Sequence, residues 1–171
     1  MTENQISPDF GDYRRAAVLT LHARRGDTAG VIAIVDETNN ADRAVQLLFA
    51  LLGFHRHLIV RLRSDEGLSL LADYIHGMTK LDISATDPGA IAMVRAAQVL
   101  DLHGYNDVDG IARVMNAATA DGHPTETFLR LLDHYEAALP ELTSSAGVAW
   151  LEAQIAALAG EEHRPDDGGS E

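Results

Sequence analysis

Apolar residues recur through this chain at three- and four-residue spacing. Most runs are entered through an Asp or Ser, and most are left through Gly, Asn or Pro. That pattern is the imprint of a series of short amphipathic helices. Asp9 opens the first run, where Tyr13, Ala17 and Leu21 lie four apart on one face and Gly26-Asp27 closes it. Asp27 and Thr28 are both cap types and open the second. Its stretch Val31-Ile-Ala-Ile-Val35 would also suit a buried strand, but no second strand-like run offers a partner, so it is read as helix. After Asn39-Asn40 comes the strongest periodicity of all: Ala44, Leu47, Leu48, Leu51, Leu58, Ile59 and Leu62, with Gly53 as a candidate kink. Phe49, Ala50, Leu52 and Phe54 make this helix apolar nearly all round, as expected at the centre of a core or beneath a second chain.

The second half of the chain has the same punctuation. Ser64 caps a helix with Asp65 and Glu66 in its first turn, where acid opposes the dipole, and with Leu68, Leu71, Tyr74, Ile75 and Met78 as its expected buried stripe. Asp87-Pro88 opens a helix to His103 with Met93, Ala96, Ala97 and Leu100 facing inward. Asp107 opens the next, carrying Val108, Ile111, Ala112 and Met115. Phe128, Leu131, Leu132 and Tyr135 mark another, ended by Pro140. Ser144 opens the last, with Val148, Leu151, Ile155 and Leu158 inward and Gly160 closing it.

The expectation is an all-α fold of about eight short-to-medium antiparallel helices, packed as a compact bundle or a shallow array of helical hairpins. One helical domain spans 9–160, after a flexible arm over 1–8 and before a disordered acidic, Gly-rich tail over 161–171. Aromatic residues are only 5% of the chain, so the core must come mainly from aliphatic side chains, which suits helices. An echo at an offset of 80 residues suggests two similar halves of about four helices each: Asp27-Thr-Ala-Gly-Val-Ile lies over Asp107-Val-Asp-Gly-Ile-Ala.

Composition narrows the function classes. The chain has no cysteine, which excludes disulfides and thiolate metal sites and fits a reducing, cytoplasmic setting. No stretch holds the roughly 18 uninterrupted apolar residues of a membrane span, and Met1 to Asp9 lacks the basic and apolar regions of a signal peptide. The net charge of −13 disfavours nucleic-acid binding by the surface as a whole. The charge is uneven: residues 1–63 hold 8 Arg against 7 Asp/Glu, whereas residues 64–171 hold 5 Lys/Arg against 19 Asp/Glu.

Motifs for chemistry are missing. There is no Gly-x-Ser-x-Gly, no phosphate-binding glycine loop and no His-Glu-x-x-His. The best candidate ligand pair is Asp73 with His76, three apart on one helix, and it reads as a surface hydrogen bond rather than a metal site. Neither a metal nor a cofactor is expected. The most unusual segment is His55-Arg-His-Leu-Ile-Val-Arg-Leu-Arg63. Arg56, His57, Arg61 and Arg63 would form a basic patch there, and Arg14, Arg15, Arg24 and Arg25 a second cluster, in which Arg24 and Arg25 are the candidate contacts. Guanidinium groups fit carboxylates through forked hydrogen bonds, so both patches are candidate surfaces for an acidic partner. The first patch, and Arg24-Arg25 of the second, also lie at a helix C-terminus, where positive charge offsets the dipole. The expected function is a non-catalytic protein–protein interaction or regulatory module, with self-association of the chain as one form of partnership. Two alternatives are an enzyme or small-molecule binder with a pocket between helices, and a nucleic-acid-associated protein using the N-terminal arginines.

Overall fold

The computed structural model describes residues 6–82 and 87–164. The expected arm up to residue 5, the connector at 83–86 and the acidic tail from residue 165 lie outside the described residues. Among the described residues there are eight α-helices and no strand: α1 Phe10–Arg24, α2 Thr28–Asn40, α3 Ala44–Leu62, α4 Asp65–Thr79, α5 Pro88–Gly104, α6 Val108–Ala120, α7 Pro124–Ala138 and α8 Ser145–Glu162. A 3-10 turn, Pro140–Thr143, precedes α8. The all-α expectation is met, and Val31–Val35 is helical.

The caps explain most of the helix starts. Asp9 and Asp12 form a reciprocal box: each side chain accepts the other's backbone N–H at 2.9 Å. Asp27 accepts from Gly30 and Asp107 from Gly110, and both caps have φ −83° and ψ 80°. A Cβ on Gly110 would collide with the Asp107 carboxylate, so glycine at that position lets the cap close. Ser64 and Ser144 each accept from a glycine three residues on. The turns use left-handed backbone at Gly26, Asp42, Asn106 and Gly122, residue types that tolerate it.

The chain forms two compact units. The first contains residues up to Phe54 and from Glu141 onward, so it holds α1, α2, the start of α3, and α8. The second runs from His55 to Pro140. In the first unit α1 packs on α2 and α8. In the second, α5 packs on α4, α6 and α7. Leu19 and Leu151 are fully buried in the first unit, and Val99, Ile111 and Leu131 are buried in the second. Leu47 to Leu52 of α3 are buried apart from Phe49, which is half-buried. That stretch is therefore covered, whereas Ala44 and Leu62, assigned to the same face, are exposed. The helix is unbroken through Gly53.

The 80-residue offset recurs throughout. Helices α2 and α6 start and end 80 residues apart, α3 and α7 start 80 apart, and so do α4 and α8. The packing of α8 on α1 thus has its counterpart in the packing of α4 on α5.

Several inward assignments need correction. On α4 only Ile75 is buried; Leu68, Leu71 and Met78 are half-buried and Tyr74 is exposed. On α6, Val108 and Ala112 face solvent while Ile111 and Ala118 are buried. Helix α8 continues through Gly160 to Glu162, because Arg14 Nε donates to Glu162 Oε2 at 2.6 Å and ties that end to α1. Residues 161 and 162 therefore belong to α8 rather than to the tail.

Candidate functional site

The second unit contains an open cleft of about 290 Å³. Ile59 and Val60 of α3, Leu68, Leu71 and Ile75 of α4, Leu100 of α5 and Ala138 of α7 make its walls apolar. Polar groups gather at its edge: Arg56 from α3, Asp101 and His103 from α5, and His134 and Tyr135 from α7. Val60 and Tyr105 also line the cleft and are 55% and 75% exposed, so apolar surface continues out of it.

Each polar group is set by its surroundings. The Arg56 guanidinium donates from Nη1 to the His103 carbonyl at 3.4 Å and to Asn106 Oδ1 at 3.2 Å, over the C-terminus of α5. That placement sets a cation against the negative end of a helix dipole. Burial, and then the nearby Arg56 charge, hold the His103 imidazole below its ordinary pKa, so it is neutral at pH 7. His134 is buried and donates its Nε2–H to the Met93 carbonyl at 3.1 Å, which fixes its tautomer. Tyr135 is buried with its ring stacked on His55 at 3.9 Å, and burial pushes its hydroxyl well above the ordinary tyrosine range. A neutral histidine, a hydrogen-bonded histidine and a phenol that resists ionisation make up part of the lining.

Positions 80 residues apart differ around the cleft. In the first unit Arg24 is buried and donates to Thr143 Oγ1 at 3.2 Å; the second unit has Gly104 at the matching position. Arg25 of α1 pairs with Glu152 of α8; the matching residues of α5 and α4 are Tyr105 and Ala72. A buried guanidinium and an ion pair are thus replaced by glycine, alanine and an exposed tyrosine, and all three replacements line the cleft. An alignment of the chain with itself at that offset contains this signal; residue-by-residue motif reading passes over it.

The basic candidates divide. Arg24 is buried, and Arg25 is engaged by Glu152. Arg24 and Arg25 serve the first unit's packing, so the surface patch expected there is not formed as such. Arg63 donates to the Ala138 carbonyl at 2.7 Å, at the end of α7. His57 and Arg61 touch at 3.5 Å on the exposed face of α3. Only Arg56 of the six lines the cleft. The Asp73–His76 pairing is replaced: His76 Nδ1 faces Asp101 Oδ2 at 3.3 Å, joining α4 to α5. Among the described residues no three His, Asp or Glu side chains gather as a metal-binding group.

The chain matches no known protein family, no characterised protein and no solved structure.

Proposed function

We propose that the chain is a non-catalytic protein-interaction module whose docking surface is the cleft of the second unit. The observation that carries this reading is the exchange of Arg24, Arg25 and Glu152 for Gly104, Tyr105 and Ala72 at positions 80 residues apart. We infer that the two sets of four helices descend from one duplicated unit. Each compact unit draws helices from both sets: where α8 packs on α1 the ion pair is kept, and at the equivalent packing of α4 on α5 a groove lies open. Helix-lined grooves of this kind take apolar anchor side chains of a partner segment. Exposed Val60 and Tyr105 extend the contact beyond the cavity itself.

A small-molecule reading is supported by one feature: 290 Å³ lies just below the range of about 300–1,000 Å³ usual for ligand pockets. The nucleic-acid reading draws no support from Arg24, which is buried, or from Arg25, which is engaged by Glu152.

The test closes the cleft with the first unit's own residues, as Ala72→Glu with Tyr105→Arg. Both positions are exposed, so folding should be nearly unaffected. Wild type and variant are purified from native lysate, and copurifying proteins and small molecules are identified by mass spectrometry. The expected result is a protein recovered with wild type and lost with the variant at equal melting temperature. A metabolite retained by wild type alone would transfer the cleft to the small-molecule reading. Equal recovery of the same protein by both forms would remove the cleft from the interaction.

A further inference from the structure

The arginines of this chain are largely engaged by carboxylates. Arg14, Arg15, Arg25, Arg43, Arg95, Arg113, Arg130 and Arg164 each have an Asp or Glu within ion-pair reach. Arg56 and Arg61 are different. Among the described residues Arg56 bonds only neutral acceptors, and Arg61 touches only His57. Among the described residues, those two cations on one helix are left without a carboxylate.

Geometry makes Arg56 the informative one. It lines the cleft, and both of its hydrogen bonds leave from Nη1. Its Nε–H and Nη2–H edge is therefore unspent, and that edge is the one that meets both oxygens of a carboxylate side-on. The bonds to the His103 carbonyl and Asn106 hold the guanidinium in place, so little side-chain entropy remains to be lost on pairing. Neutral His103 adds no competing charge beside it. The acid lining the cleft, Asp101, already faces His76.

Resting on the docking reading above, we propose that the cleft takes an acidic amphipathic segment of another protein, with an apolar side chain over Ile59, Leu71 and Ile75 and a carboxylate on the free edge of Arg56. The acidic balance of residues 64–171 opposes long-range attraction of such a segment. Recognition is therefore local, because charges more than about 8 Å apart are largely screened at physiological ionic strength. A protein segment fits better than a lone apolar acid because the exposed Val60 and Tyr105 offer contact outside the cavity.

A random peptide library displayed on phage, selected against the full-length protein, tests this. Selection is run in parallel against the cleft-closed Ala72→Glu/Tyr105→Arg protein and against a second occluding variant, Val60→Glu. Wild type should enrich peptides with Leu, Phe or Trp and an Asp or Glu three or four residues away. The synthetic consensus peptide should bind Arg56→Gln at least about tenfold more weakly than wild type, because the variant loses charge-assisted hydrogen bonds to the peptide's carboxylate. Peptides that enter the cleft without an acid and bind Arg56→Gln equally would overturn the carboxylate assignment while leaving docking intact. Peptides that bind both occluded variants as well as wild type, or no enrichment over them, would overturn both. Octanoate that competes with the peptide at equal concentration would assign the site to free apolar acids instead.

Discussion

Asp12 has no exposed side-chain surface, yet three groups hold it in place. It accepts from the backbone of Asp9 at 2.9 Å, from Arg43 Nε at 3.2 Å and from Arg15 Nη1 at 3.5 Å. Burial alone would raise its pKa; the hydrogen bonds from Arg43 and the Asp9 backbone outweigh that, and the net shift is downward. A depressed carboxylate contributes stability that is complete above its unfolded value and is lost as pH falls through the folded one. The melting temperature should therefore decline below about pH 4. Asp12→Asn should lower stability at pH 7 by about 1.5–3 kcal/mol and flatten that acid decline. Thermal melts of both proteins between pH 2 and pH 7 check it; parallel curves would show that Asp12 is not the group responsible. The same scale shows a limit of sequence reading. Arg24 and Arg25 look alike at a helix end, but about 100° of helix rotation turns one into the core and leaves the other outside. Thr143, the partner that marks Arg24 as internal, lies 119 residues away.

The helix boundaries were legible because capping is local chemistry. Asp9, Asp27, Ser64, Asp87, Asp107 and Ser144 all cap helices through their own side chains. What periodicity leaves open is which part of an apolar face another element covers. Tyr74 belongs to the stripe of α4 by spacing, yet it is 45% exposed, with its ring edge-on to His134. Gly160 looked like a stop but lies inside α8, since an ion pair two residues later holds the helix together. That ion pair carries its own prediction. Truncation after Gly160 removes Glu162, whose pair with Arg14 is about one-third exposed. Such pairs contribute roughly 0.2–1 kcal/mol. The truncated chain should melt about 1–3 °C lower. Arg14→Gln should reproduce most of the drop, and combining the two should add little. A fully additive effect would mean that the end of α8 is held by something other than Arg14.

At the scale of the whole chain, the first unit is assembled from both ends of the sequence and the second from its middle. Two compact units can unfold separately when a loose linker joins them. Here the joints are regular structure. Helix α3 crosses from Phe54 to His55 without interruption, so its backbone hydrogen bonds belong to both units. At the other joint the 3-10 turn Pro140–Thr143 begins one residue after Leu139, which is fully buried. Unfolding either unit alone would end α3 in mid-helix, and helix ends of that kind are costly to create. The chain should therefore melt in one transition. Leu151→Ala acts in the first unit and Ile111→Ala in the second; both side chains are at least 99% buried. Each substitution should cost about 2–5 kcal/mol and shift that single transition downward by roughly 5–15 °C. Differential scanning calorimetry decides the matter. A second peak appearing in either variant, with the other peak unmoved, would show that α3 is a junction the chain can melt through rather than a shared strut.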